Sequence, residues 1–314
     1  MYYNITVIIP TMNRPQSLKQ TISSIVNSSS LPSQIIIIDQ STYQEFRDSN
    51  IEIVQKFKDH LDIQYEFQDI PSLTKARNRG LELAQEEIIV FSDDDVDVLD
   101  NTFASVYNIM QDPEIALVGG FNQGEIHTNN SFFGYLFCRS SYRKRNLGHV
   151  SSGVYGRFPI SQDNEVDTEW AMGFFFVVRK SLVEKWQCRF DEKLKFYAYA
   201  EDLDFTYGYY LKSQIEHYRC IMSRSLTVKH NASAEYRITQ FKVTMMEMIH
   251  REYIAYKYKD QFSPFALFWS NIGTFLYRLV KNNNPLDVLR AMRFISRNKS
   301  KIIAGELFYN VYMN

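Results

Sequence analysis

Short apolar runs alternate with helically spaced ones through the first third of the chain. Ile5-Thr6-Val7-Ile8-Ile9 reads as a first strand ended by Pro10. From Pro15 to Asn27, Leu18, Ile22, Ile25 and Val26 share one helical face. Ile35-Ile36-Ile37-Ile38 predicts a second strand ending at Asp39, and residues 43–60 predict a helix. Ile63-Gln64-Tyr65-Glu66-Phe67 alternates as a half-buried strand, residues 73–85 return to helical spacing, and Ile88-Ile89-Val90-Phe91 forms a fourth strand. This rhythm implies right-handed βαβ units: an α/β, Rossmann-like, mainly parallel sheet with helices on both faces. Residues 121–166 are irregular and rich in Gly, Ser, Asn and Arg, and read as loops or an insertion. Strand character returns at Ala171–Val178, a helix is predicted over Asp202–Lys212, and Leu226–His230 reads as a late edge strand.

In such sheets the ligand crevice lies at the carboxyl ends of the strands. Pro10-Thr11, Asp39 and Asp93-Asp94-Asp95 all fall at predicted strand ends, so separate segments deliver polar groups to one rim. Three adjacent carboxylates at the end of a buried strand repel one another and are costly to desolvate. A divalent cation with oxygen ligands would neutralise them; a solvated acidic turn is the plainer alternative. No GxGxxG run follows the first strand and no GxxxxGK[ST] loop occurs, which argues against dinucleotide-binding and P-loop domains.

Composition narrows the class further. The 314 residues are 45% hydrophobic with 12 Gly and 8 Pro, a packed globular protein. Cys138, Cys188 and Cys220 are far apart and form no CxxC pair. With no secretory pattern at the N-terminus, a reducing cytoplasm is expected. The net charge of −1 hides an asymmetry: from Tyr236 onward 12 Lys/Arg face 5 Asp/Glu, while residues 1–235 carry 23 against 31. An acidic body with a basic, aromatic tail suggests a tail that meets an anionic surface; nucleic acid is not expected as a partner.

Seven pieces in order carry a resemblance. They are Val7-Ile8-Ile9-Pro10-Thr11-Met12-Asn13-Arg14, Ile36-Ile37-Ile38-Asp39-Gln40-Ser41, Ala76-Arg77-Asn78-Arg79-Gly80 and Phe91-Ser92-Asp93-Asp94-Asp95. Met172-Gly173 before an apolar strand, Glu201-Asp202-Leu203-Asp204 and Val228-Lys229-His230 follow. Over about residues 3–232 the chain resembles the family 2 glycosyltransferases, nucleotide-sugar-dependent inverting enzymes of the GT-A fold. The resemblance implies a catalytic domain over 1–235, with a nucleotide-binding half to about residue 120 and an acceptor-binding half beyond, followed by a helical C-terminal region, 236–314.

It also implies roles. Asp93 and Asp95 stand in the DxD motif, Asp94 leaving its register ambiguous by one residue, and Asp95, Asp93 and His230 would hold Mn²⁺ or Mg²⁺. Pro10, Thr11, Arg14, Asp39, Arg77, Asn78, Asp93, Asp94, Trp170 and Gly173 would contact the nucleotide sugar, a UDP-sugar. Asp202, assisted by Glu201, would deprotonate the acceptor hydroxyl, since an inverting transfer needs one such carboxylate. Plainer readings stand beside these: a bystander histidine at His230, surface ion pairs at Arg14 and Arg77, a helix cap at Glu201-Asp202, core packing at Trp170. The expected acceptor is a glycan or lipid-linked glycan of a bacterial surface polysaccharide.

The apolar segment Phe265–Tyr277 is interrupted by Ser, Asn, Gly and Thr and is too short to span a bilayer. It reads equally as an interfacial helix at the inner membrane face or as a packing face against the domain or a second subunit of a homodimer. A sugar-phosphate nucleotidylyltransferase or an inactive binding protein are the competing functions. The first would need a glycine-rich loop that Pro10-Thr11-Met12-Asn13-Arg14 lacks; the second would predict erosion of the carboxylates.

Overall fold

The computed structural model describes residues 1–125, 131–196, 198–232 and 238–312. Its first half runs β1 (Tyr2–Thr11), α1 (Pro15–Val26), β2 (Leu31–Asp39), α2 (Gln44–Phe57), β3 (Ile63–Phe67), α3 (Leu73–Leu83) and β4 (Ile88–Ser92). These match the predicted elements, except that β1 continues through Pro10 to Thr11. Then come β5 (Val96–Asp97), α4 (Thr102–Ile109), β6 (Ile115–Asn122), α5 (Phe132–Leu136), β7 (His149–Val150), β8 (Gly156–Arg157) and β9 (Glu165–Asp167). The catalytic-looking half ends with β10 (Phe175–Arg179), α6 (Lys180–Lys185), α7 (Glu201–Ile215) and β11 (Arg219–His230). Four helices follow: α8 (Gln240–Lys257), α9 (Pro264–Val280), α10 (Pro285–Ile303) and α11 (Tyr309–Tyr312).

The main sheet has the order β3-β2-β1-β4-β10-β6-β11-β5, with β9 on β11. β1 to β4 are mutually parallel, β10 enters antiparallel between β4 and β6, and β11 is parallel to β6. Ile5, Val7 and Ile9 point to one apolar layer with α1 and α4; Ile8, Ile36 and Ile38 point to the other, with α3, α6 and α7. Both faces are covered, which is why these strands read as unbroken apolar runs. Gly80 lets α3 lie directly on β1, for a Cβ there would stand 2.3 Å from Ile8 Cγ2.

Two expectations are corrected. Leu226–His230 is only the end of a longer strand, and that strand is interior, flanked by β6 on one side and β9 or β5 on the other. Ser223-Arg224-Ser225 fall where its register with β6 shifts, so the polar break hid its first half. The strand predicted over Ala171–Val178 begins only at Phe175, because the backbone at Gly173 is used by side chains of the cleft. β6 and α4 were not foreseen; Gly119-Gly120 dilute the β6 run, though Ile115–Phe121 are all buried.

The C-terminal helices share the first apolar layer. Met245, Ile249, Val288 and Ala291 belong to the same buried cluster as Phe103 and Val228. The expected boundary at 235/236 falls among residues 233–237, outside the described residues.

Candidate active site

At the carboxyl rim, Thr11 and Asp39 face each other across β1 and β2. Asp39 is fully buried: its carboxylate accepts from Ser41 N (2.8 Å), Asn50 Nδ2 (2.9 Å) and Tyr65 OH (2.7 Å). It therefore shapes the turn that follows β2. Asn50 and Tyr65 went unnoticed in the sequence; the β2–β3 register, which places Tyr65 beside Ile37, is the signal that could have found the second. After β1, Asn13 adopts a left-handed backbone (φ 56°), tolerated by asparagine, and its side chain and amide bind Thr42 and Ser41. That turn aims Arg14 back at the aspartates.

The three aspartates separate. Asp94 points inward, accepting from Thr11 Oγ1 (2.6 Å) and Arg14 Nη1 (3.0 Å). Burial pushes its pKa up to about 7, against the pull of Arg14 and Thr11. Asp93 and Asp95 face the other way, and with His230 they place one ligand atom each within 4.8 Å of one another. His230 Nε2 lies 3.2 Å from Asp95 Oδ1, and its ring stacks on Phe174 with centroids 5.2 Å apart. Burial opposes a charge on His230, but the Asp95 hydrogen bond and the Asp93 charge outweigh it and raise the pKa. Asp93 is itself raised, chiefly by loss of water, with Arg77 opposing.

Across the cleft Arg77, on α3, binds Glu201 Oε1 (2.6 Å), Asp93 Oδ1 (3.0 Å) and Gly173 O (3.0 Å). Gly173 N donates to Asp202 Oδ2 (2.7 Å), and Leu203 N to Asp202 Oδ1 (2.7 Å). A side chain at Gly173 would crowd this junction, since its Cβ would lie 3.1 Å from Asp202 Cβ and 3.2 Å from Arg77 Nη2. Glu201 is buried and lifted to about 8 by that burial, with the Asp202 charge adding and Arg77 opposing. Asp202 is also raised by burial, against Arg77 and its two backbone donors, and keeps part of its surface open.

The loop before this acid pair is strained. Phe196, Ala198 and Ala200 all have positive φ (58°, 45° and 66°), a conformation that costs a residue with a Cβ about 1 kcal/mol or more. The C-terminal helices hold it: Met246 Sδ accepts from Tyr199 N, and His250 Nδ1 donates to Tyr199 O at 2.7 Å. Tyr309 OH takes Lys195 N–H and lies 2.8 Å from both Lys193 O and His250 Nε2. Asp204, the third acid of the same motif, is buried against Lys257 (2.7 Å) and ties α7 to α8. No local signal announced that pairing, because Lys257 comes from a distant helix.

Besides Asp39, three named residues stand outside the network of acids and arginines. Asn78 fastens the 190–192 segment, donating to Phe190 O (3.0 Å) and accepting from Phe190 N (2.9 Å). Trp170 is buried against Gly156 and Phe158 with its indole N–H on Arg157 O, the core-packing alternative. Pro10 lies within β1, opposite Ile38. Thus Thr11, Arg14, Arg77, Asp93, Asp94, Asp95, Gly173, Glu201, Asp202 and His230 form one connected network drawn from six segments.

The mostly parallel sheet with helices on both faces and a carboxylate-rich rim is an α/β fold of the GT-A type, and the comparisons agree. The model of glycosyl transferase family 2 matches residues 6–186, so the chain belongs to that family and is a glycosyltransferase. It is 25% identical over 290 residues to the GalNAc(5)-diNAcBac-PP-undecaprenol beta-1,3-glucosyltransferase of Campylobacter jejuni, covering 90% of this chain and 85% of that one. It is 23% identical over 275 residues to the poly(ribitol-phosphate) beta-N-acetylglucosaminyltransferase TarP of Staphylococcus aureus, covering 82% and 74%. Among solved structures, a Pyrobaculum calidifontis mannosyltransferase in complex with GDP-Man and Mn²⁺ superposes with a TM-score of 0.57 at 13% identity, covering 99% and 88%. S. aureus TarS in complex with UDP-GlcNAc gives 0.51 at 17% identity, covering 96% and 89%. These structural likenesses speak to the GT-A fold. Family membership sets the nucleotidylyltransferase reading aside.

Proposed function

We propose that this enzyme transfers a sugar, with inversion, from a UDP-sugar to a hydroxyl of a phosphate-bearing glycan of a bacterial surface polymer. The observation that carries the reading is the convergence of Asp93, Asp95 and His230 to within 4.8 Å of one another, with Asp93 linked through Arg77 and Gly173 to Asp202. Two carboxylate oxygens and one imidazole nitrogen suit Mn²⁺ or Mg²⁺, and buried Arg77 faces Asp93, Glu201 and Asp202 together. Such an ion, when bound, stabilises the charge growing on the leaving diphosphate. The protein's own residues do the remainder. Arg14 and Thr11 hold Asp94 inward so that its neighbours face the cleft. Arg77 fixes the Asp93–Glu201 span, and the Gly173 and Leu203 amides hold Asp202 in one orientation. A raised pKa brings Asp202 closer to that of the alcohol it deprotonates.

Both named relatives act on acceptors whose names contain phosphate, which supports a phosphate-bearing acceptor here. No helix among the described residues is long and apolar enough to cross a membrane. Peripheral contact has another support. Phe132, Phe265 and Val280 are 80%, 71% and 83% exposed, and α5 joins α9 through Trp269 Nε1 to Leu136 O (2.8 Å). Lys281 flanks this apolar face, an arrangement suited to an anionic lipid surface.

The test is calorimetry with UDP-sugars, with and without Mn²⁺, on the wild type and Asp202→Asn. Donor binding that needs the metal and survives Asp202→Asn, with transfer lost, is expected. Equal loss of binding and transfer would remove Asp202 as the base, and metal-independent binding would remove the cation site. Flotation with anionic liposomes should be lost on Phe132→Ser/Phe265→Ser; unchanged flotation refutes the lipid contact.

A further inference from the structure

A second groove, of about 770 Å³, lies between the start of α3, the 191–196 loop and the 305–310 segment. Because α3 follows β3, its first turn stands on the same rim as the aspartates. Lys75, Lys193 and Lys195 line the groove with Phe196, Phe308 and Tyr309. None of the three ammonium groups is ion-paired among the described residues. The acids nearby are already engaged: Asp191 with Lys257 (3.1 Å) and Tyr253 (2.7 Å), Glu192 with Asn78 (3.1 Å), Glu306 with Lys301 (3.7 Å). The lining thus holds three carboxylates that each face a partner elsewhere, and three ammonium groups bound to no acid among the described residues, which are the groove's available donors.

The groove is also preformed. The Tyr309 hydroxyl stitches its two walls together through Lys193 O and Lys195 N, both at 2.8 Å. Gly305, at φ +91°, leaves the space that the Lys193 stem occupies, for a Cβ there would lie 2.5 Å from Lys193 Cδ. The α3 N-terminus adds its positive dipole end, with Ser72 supplying no side-chain cap. The exposed face of Phe196, with half-buried Phe308 and Tyr309 beside the cations, suits a sugar carrying an anion.

We propose that this groove is an acceptor subsite that binds a phosphoryl group of the glycan substrate. It rests on the acceptor reading above and places that phosphate away from the attacked hydroxyl. From Phe196 to Asp202 the chain reaches at most about 20 Å, the length of a few sugar units. A contact so remote from the reacting atoms is made equally in ground and transition states, so its loss raises the acceptor KM and spares kcat.

The experiment uses the full chain saturated with UDP, as wild type and as Lys75→Gln/Lys193→Gln/Lys195→Gln. Three probes are titrated: an oligosaccharide on farnesyl pyrophosphate, a glycerol-phosphate oligomer, and the same oligosaccharide as its uncharged methyl glycoside. The wild type should bind one charged probe at least tenfold more tightly than the uncharged one, and added salt should erode that preference. The probe that gains identifies a lipid pyrophosphate or a polymer phosphodiester as the source. The triple variant should bind all three alike with UDP affinity unchanged, and the corresponding triple Arg variant should keep the preference. A Gln variant that retains it, or a wild type without it, overturns the subsite. Failure of the wild type to bind UDP would instead refute the donor reading, leaving the groove's preference measurable on its own.

Discussion

Two arginines, Arg77 and Arg251, are each about 1% exposed, and they are buried for different purposes. Arg251, on α8, spends its guanidinium on Gly153 O, Tyr155 OH (2.7 Å), Asn271 Oδ1 (3.1 Å) and Ser270 Oγ (2.6 Å), with Glu247 at 3.9 Å. Its partners are mostly neutral, one nearby acid offsets its charge, and the cluster joins the C-terminal helices to the 153–155 turn. Arg77 binds two acids and a carbonyl, acts on a third acid, Asp202, and leaves its Nε without a partner among the described residues. A saturated cluster is a fastening. A cluster with excess charge of one sign awaits something that is not protein.

Removing each arginine should separate these roles. Arg77→Met should lower transfer at least ~10³-fold, about 4 kcal/mol of barrier, as measured by initial rates at saturating donor. Because Glu201 can take up a proton, the variant should remain folded; a cooperative melt lost at 25 °C would make Arg77 a fastening too. Arg251→Met should do the reverse. It strands several buried acceptors and should cost about 3–4 kcal/mol in urea denaturation. Specific activity of the folded fraction should stay within about threefold, and a larger fall would place Arg251 in the catalytic network.

His250 sharpens the same contrast through pH. Burial lowers its pKa to about 4, against the Tyr199 carbonyl bond and the Asp191 charge, so the folded protein resists a proton that the unfolded chain accepts near 6.5. The unfolded state binds more protons between those values, so stability is full above about 6.5 and falls as pH drops through the window. The loss approaches about 3 kcal/mol near pH 4. His250→Gln should flatten the difference between pH 7 and pH 4 in denaturant titrations; an unchanged slope would rule out His250 as its source. Smallest of all, Tyr309→Phe should cost about 1 kcal/mol. It should also lower kcat a few-fold with donor affinity intact, because the strained loop before Glu201-Asp202 loses one clamp; an unaltered kcat would show that the loop holds itself.

Much of the nucleotide half was readable because its strands are buried on both faces and their apolar runs are uninterrupted. The rim position of Asp93 to Asp95 followed from where those runs end. β6 escaped notice because glycines thin its pattern, and the first half of β11 because polar residues accompany its register shift. Asp39 was read from its strand end alone; that Tyr65 and Asn50, brought to it by the β2–β3 pairing and by α2, bond its carboxylate was not legible there.

The chain's own order of residues determined the α/β class, the family and the identity of the acids, since periodicity and short motifs are local properties. Only the tertiary structure decided which acids face the cleft. Asp94 differs from its neighbours not in type but in having Thr11 and Arg14 across from it, contacts that span about 80 positions. Where the C-terminal helices pack was likewise decided in three dimensions. Their aromatic, basic composition suggested a surface, while buried Met246 and His250 bond the strained loop before Asp202 and buried Arg251 fastens the 153–155 turn. Side-chain direction and long-range partnership depend on packing, and no local pattern encodes them.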